Sequence, residues 1–173
     1  MAALSDLAAV ENSNLVWQKA KIALDSLGAS GAARDSFRAL KAHLAQVKGN
    51  KDLRFTAITA ASLITTDDGQ GVGAGTARIY GVYYKKQDDA TDAFVSIVDN
   101  GTDDNYYGGS LTGSVRHQTA SLEALEEHIA IYPKGLSMAN GIRVVTTTAA
   151  AAGTTVSVAE ADTVNGFIIS GAA

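Results

Sequence analysis

Glu127-His128-Ile129-Ala130-Ile131-Tyr132, running on through Pro133-Lys134-Gly135-Leu136-Ser137-Met138-Ala139-Asn140-Gly141 to Ile142-Arg143-Val144-Val145-Thr146, decides the fold of this chain. Ile129 and Ile131 fall on one face, with His128, Ala130 and Tyr132 on the other, the period of two that marks a half-buried strand. Pro133, the only proline, lacks a backbone donor and predicts that the strand stops there. Gly135 and Asn140-Gly141 supply positions that tolerate positive φ, as a tight return needs. Thr155-Val156-Ser157-Val158 and Val164 to Ile169 continue the alternation, so the last third reads as stacked antiparallel strands.

Upstream, Leu53, Phe55 and Ala57 alternate within a mostly extended segment from Leu53 to Ile64. Asp67 to Gly75 is too rich in glycine for anything but a loop. Ala77 to Lys85 and Ala93 to Val98 are predicted strands, separated by the acidic turn Gln87-Asp88-Asp89. Phe94 to Val98 is apolar on both faces apart from Ser96, which predicts cover on both sides. Asp99-Asn100-Gly101 is a turn signal, Gly108 to His117 a weaker strand or loop, and Ser121 to Glu126 either one helical turn or the approach to the next strand. About seven or eight strands result, enough for a sandwich or jelly roll.

The chain changes character near residue 50. Ala33, Phe37, Leu40, Leu44 and Val47 recur at spacings of four and three, one face of a helix, with Ser30 as its cap and Gly49 as its stop. Val16, Ala20, Ala23, Leu24 and Leu27 form a second stripe closed by Gly28, with Asn12 or Ser13 as its cap and residues 4–10 as a helical lead-in or loose arm. The expected architecture is α+β: a helical hairpin over residues 1–50, then an antiparallel, jelly-roll-like β-sandwich domain over 51–173. The hairpin is too short to stand alone, so it must pack on the β-domain, a sister subunit or a partner.

Composition narrows the function. With 173 residues, 46% hydrophobic, the chain can bury a real core. A net charge of −4 argues against a nucleic-acid binder. The charge is uneven: residues 1–54 carry eight Lys/Arg against five Asp/Glu, net +3, and residues 55–173 carry six against thirteen, net −7. Such halves can attract neighbouring copies or a charged partner, or form separate solvated faces. Cysteine is absent, which excludes disulfides and thiolate metal sites. The N-terminal segment lacks a signal peptide's basic start and apolar run, and no apolar stretch approaches the roughly 18 residues of a membrane span. Synthesis in a cytoplasm, with no membrane partner, is expected.

Few residues suggest chemistry. Gly69-Gln70-Gly71-Val72-Gly73-Ala74 matches a dinucleotide fingerprint, but a strand follows it where a helix is required, so it reads as a hairpin loop. Asp99-Asn100-Gly101-Thr102-Asp103-Asp104-Asn105 gathers oxygen ligands without the EF-hand order, which favours a hydrogen-bonded turn over calcium. His43, His117 and His128 lack a histidine three or four residues away, so each reads as a surface or interface residue. No serine lies in a Gly-x-Ser-x-Gly elbow. No catalytic residue, cofactor or metal is expected. Tyr106 and Tyr107, in a predicted loop, could stack on sugar rings or anchor a protein interface.

Ile129 to Leu136, followed by Asn140-Gly141-Ile142-Arg143-Val144-Val145 and a closing Thr155-Val156-Ser157-Val158, resembles small jelly-roll structural proteins of tailed bacteriophages. Their strand ends at Pro-x-Gly-Leu/Ile, and a short link leads to a Gly-Ile/Leu-x-Val strand. The resemblance covers about residues 77–169 and leaves the helical third outside it. It implies a virion component with no catalytic residue: a capsid decoration (cement) or head-fibre protein, often a homotrimer seated on the major capsid protein. Under that reading Phe94, Val95, Ile97, Phe167 and Ile169 are expected to meet about a threefold axis. Lys41, Lys48, Lys51 and Arg54 of the net-basic region are expected to dock on the capsid or clasp a neighbouring copy. The competing expectation is a carbohydrate- or receptor-binding module of a fibre or tail, its site formed by Asp99, Asp103, Asp104, Tyr106 and Tyr107.

Overall fold

The computed structural model describes residues 4–47, 53–58, 64–65, 76–87, 93–99, 110–112, 114–147, 155–157 and 164–172. Among the described residues two helices, α1 (Leu4–Ser26) and α2 (Gly31–Val47), precede ten strands. These are β1 (Leu53–Ile58), β2 (Ile64–Thr65), β3 (Ala77–Lys86), β4 (Phe94–Asp99) and β5 (Ser110–Thr112), then β6 (Ser114–Gln118), β7 (Glu127–Met138), β8 (Ile142–Thr147), β9 (Thr155–Ser157) and β10 (Val164–Ala172). The fold is α+β, helices first and antiparallel sheets after.

The helical stripes become buried faces. Ala33, Phe37, Leu40 and Leu44 of α2 are buried, whereas Val47, expected to extend the stripe, is exposed. Ser30 caps α2 by accepting a hydrogen bond from the Ala33 N–H at 3.1 Å. Val16, Trp17, Ala20 and Leu24 form the buried side of α1, and Gly28 ends the turn beyond it at φ 64°. Residues 4–10 are continuous with α1, so Asn12 and Ser13 do not cap it.

One sheet has the order β1-β10-β3-β7, a second β2-β8-β4-β6, and β5 pairs with β9 apart from both. Every pairing is antiparallel. The pairs β4–β6, β3–β7, β2–β8 and β1–β10 are nested in sequence, and successive pairs fall in alternate sheets.

The two main sheets face each other across Ile79, Val82, Tyr84 and Ile168 on one side and Val95, Ile97, Ile142 and Val144 on the other. The outer face of the first sheet carries a second core, in which Tyr80, Tyr83, Phe167 and Ile169 meet Trp17, Leu24, Phe37, Leu40 and Leu44 of the helices. The layers are therefore helix, sheet, sheet, and the hairpin packs on its own β-domain. Each large apolar side chain so buried contributes about 1.5–3 kcal/mol.

This layering corrects the expected threefold interface. Val95, Ile97, Phe167 and Ile169 have no exposed surface in the single chain, and Phe94 is partly buried. The predicted need for cover on both faces of β4 is met, with Val95, Ser96, Ile97 and Val98 all buried within one copy. Pro133 also differs from expectation, because β7 continues through it to Met138. β7 is an edge strand, and its pairing with β3 shifts register between Ile79 and Gly81, so residues 132–135 bulge and Pro133 has no ladder bond to lose.

Two glycines set how closely the layers approach. A Cβ on Gly81 would lie 2.9 Å from side-chain atoms of both Leu40 and Phe37, so its absence lets α2 rest on the sheet. A Cβ on Gly166 would lie 1.9 Å from the Tyr83 carbonyl oxygen, a rigid backbone atom. Gly166→Ala is expected to destabilise the fold by about 3 kcal/mol, read as a lower urea midpoint. A midpoint equal to wild type would show that β10 and β3 are not held this close.

Candidate functional site

The outward side of the hairpin gathers charge over an apolar floor. Arg34, Arg38 and Lys41 are spaced by four and three, which places them along one flank of α2 beside its buried stripe. With Trp17, Ala20, Lys21 and Leu24 of α1 and Phe37 of α2 they line a cleft of about 260 Å³. Trp17, Ala20, Leu24 and Phe37 are buried and form its floor, while Lys21, Arg38 and Lys41 are exposed.

Arg34 is braced: its Nε donates to the Ala29 carbonyl at 3.2 Å and its guanidinium pairs with Asp25. That hydrogen bond holds the Asp25 carboxyl below the usual carboxylate range. Arg38 pairs with Asp35 at 2.9 Å on the open surface, which contributes little stability. Four cations against these two carboxylates leave the rim net positive. Trp17 Nε1, at the floor, is buried with no hydrogen-bond partner among the described residues.

Lys41, expected from sequence to dock, lines this cleft with Lys21, Arg34 and Arg38, which sequence did not single out. Arg54 is exposed on β1, the strand against which α1 packs. Lys48 and Lys51 lie outside the described residues. On the opposite side of α1 from Trp17, about 200° around the helix, Leu15 and Ile22 are 47% and 67% exposed. They form an apolar stripe facing water, with exposed Lys19 between them.

A second feature projects from the turn before β7. Leu125 has φ 63°, the left-handed region, and is 59% exposed. A branched apolar residue held there costs about 1–2 kcal/mol. The turn is tied down, since Leu122 forms a bridge with Ala93 and the Glu123 N–H donates to Glu126 Oε2 at 2.9 Å. The Glu126 N–H donates to the Glu123 carbonyl at 3.1 Å. Leu125 therefore stands out as an apolar knob between two exposed glutamates. Its periodicity is that of neither helix nor strand, which is why sequence allows either one helical turn or an approach to the next strand there.

Polar residues also bridge the layers. Glu127 Oε2 accepts from the Ser30 N–H at 3.1 Å and from the Tyr83 hydroxyl at 2.9 Å, pinning the start of α2 to β7 and β3. Burial raises the Glu127 pKa, but these bonds outweigh it and leave the carboxyl below its ordinary range. Two edge strands, β6 of one sheet and β7 of the other, are joined by His117 and His128, whose Nε2 atoms are 2.9 Å apart. The Tyr132 hydroxyl lies 2.6 Å from His117 Nδ1, and the Tyr84 ring stacks on His128 with centroids 6.1 Å apart. Burial pushes both histidines below their ordinary pKa, and the Glu126 charge opposes this at His128. A neutral pair shares one N–H; two imidazoliums would set two donors face to face. Sequence offered no signal for this pair, because it forms only across the seam of two sheets.

The expected acidic ligand loop is corrected at its first residue. Asp99 is 8% exposed and accepts from the Ala139 N–H at 2.9 Å and the Asn140 N–H at 2.7 Å, so it caps the β7–β8 turn. Asp103, Asp104, Tyr106 and Tyr107 lie outside the described residues, as do Gly69 to Ala74 of the glycine-rich segment. Among the described residues no helix is long and apolar enough to cross a membrane. No family model, curated protein or solved structure matches the chain.

Two outcomes follow from these contacts. The histidine pair favours neutral rings in the fold, so the unfolded chain binds more protons below about pH 6.5. Stability is full above that value and is lost as pH falls through the depressed folded values; the melting temperature should drop there, and drop less in a His117→Phe, His128→Phe double variant. Equal slopes in the two proteins would contradict the shared-proton seam. Asp99→Asn should cost about 1–3 kcal/mol by chemical denaturation, with calcium changing the midpoint of neither protein. Calcium-dependent stabilisation of wild type alone would return Asp99 to a ligand role.

Proposed function

We propose that this chain is a non-enzymatic structural protein of a virion, a decoration protein that binds the major capsid protein of a tailed bacteriophage and stabilises the shell. The observation that carries this reading is the strand order. With the β5–β9 pair set aside, β1-β10-β3-β7 facing β2-β8-β4-β6, with nested pairs in alternate sheets, supports a jelly roll. That architecture recurs in viral capsid proteins, where closely packed sheets give a rigid module. The phage-like Pro-x-Gly-Leu segment lies within it, on β7.

Docking falls to the hairpin. Its inner stripe is buried against the first sheet, which fixes α1 rigidly, while Leu15, Ile22 and Lys19 face outward. A rigid helix with exposed apolar residues and a flanking cation provides contact area at small entropic cost. Leu15→Glu with Ile22→Glu should leave the melting temperature within a degree or two, because both side chains already face water. The same variant should lose co-sedimentation with heads assembled from the major capsid protein of the virus that encodes the chain. Failure of wild type to co-sediment with such heads would overturn the proposal, and retention of binding by the variant would move the docking surface elsewhere.

A further inference from the structure

We infer that a second copy of this chain fills the cleft between α1 and α2, inserting the Leu125 knob. The two surfaces are complementary in charge and in polarity. The cleft offers an apolar floor of Trp17, Leu24 and Phe37 under a net-positive rim of Lys21, Arg34, Arg38 and Lys41. The knob offers one exposed leucine flanked by the carboxylates of Glu123 and Glu126. A volume of about 260 Å³ lies below the roughly 300–1,000 Å³ of small-molecule sites and suits a single side chain.

Two further observations point to an occupant. Trp17 Nε1 is a buried donor at the cleft with no partner among the described residues, and an entering carboxylate or carbonyl would satisfy it. Leu125 is held at φ 63° by the bonds of its own turn, so its side chain is presented to water already fixed and loses little freedom on insertion. The expected self-association thus moves from the strand residues, which one copy buries, to a helix cleft and a turn, which one copy leaves open.

Knob and cleft are different patches, so two copies can exchange them reciprocally about a twofold axis or many can pass them head to tail. An open row leaves one knob and one cleft empty, whereas a closed ring leaves none. Opposite charges at the rim speed encounter, and the buried leucine sets how long the contact lasts.

The inference does not depend on a capsid, and native mass measured on the purified chain tests it alone. Light scattering behind a sizing column, over a wide concentration range, should give a mass above the 17.8 kDa of one copy. Leu125→Gly, which removes the knob and suits the positive φ, should weaken association about thirtyfold or more while raising the melting temperature. Arg38→Glu, a reversal at an exposed rim position, should weaken association without changing the fold. The former variant keeps its cleft and the latter its knob, so mixing them lets the Leu125→Gly cleft accept the Arg38→Glu knob. The mixture should regain mass and shift the emission of Trp17, the only tryptophan. A wild-type monomer at every concentration, undiminished association of Leu125→Gly, or a mixture that stays monomeric would each overturn it. Capsid binding tested through Leu15 and Ile22 fails or succeeds separately.

Discussion

Phe167 holds the three layers together. It sits on β10, an interior strand of the first sheet, with no exposed surface. Its ring packs against Phe37 of α2 at 4.9 Å, Phe55 of β1 at 5.2 Å and Tyr83 of β3 at 5.8 Å between centroids. Aromatic contacts of this kind add about 0.5–1.5 kcal/mol each beyond the area they bury. The neighbouring Ile168 points to the other face and into the core between the sheets. One short strand thus fixes the helices on one side and the second sheet on the other, and the spacing rests on the bare Cα atoms of Gly166 and Gly81.

Around this apolar centre the seams are polar. Glu127 ties α2 to the first sheet, Lys85 Nζ donates to the Gly28 carbonyl at 3.1 Å, and Asp99 closes the β7–β8 turn. Each such bond is worth about 1 kcal/mol, or up to about 3 where a charge takes part. These contributions are small beside the buried aromatics, but they select one orientation of layers that hydrophobic contact alone leaves free to slide. The histidine pair does this where β6 meets β7, and its dependence on neutral rings makes that seam weaken as the rings take up protons.

The sequence exposed much of this fold because its periods are clean. Spacings of four and three at Ala33, Phe37, Leu40 and Leu44 fixed α2, and the alternation from His128 to Tyr132 fixed β7. What the pattern could not tell is which surface covers a strand that is apolar on both faces. Phe167 and Ile169 look the same whether a sister subunit or the chain's own helices lie above them, because burial leaves no mark of its source. Pro133 misled for a related reason, since a proline ends an interior strand but is tolerated at an edge bulge, and edge position is a property of the whole sheet. The candidate surfaces were less visible still. Arg34, Arg38 and Lys41 are readable as a helical flank, but that they overhang Trp17 follows only from how α1 and α2 pack. Asp99 was misassigned because an acid in a turn can serve a metal or the backbone, and only the geometry shows two amides already bound.

The nested pairing has a consequence for how the chain is made. The innermost pair, β4–β6, is available before β7, β8 and β10 are made, but β10 occupies the middle of its sheet and emerges after the other three strands of it. Until residues 164–172 are out, β1 and β3 have no strand between them, and α1 and α2, made before it, have no Phe167 or Ile169 on which to settle. Part of the face that receives the helices is therefore completed only by β10. A chain interrupted before β10 leaves open strand edges and a bare helical face, the features that chaperones and proteases recognise. Closure of the first sheet thus depends on the one of its four strands that is made after the other three.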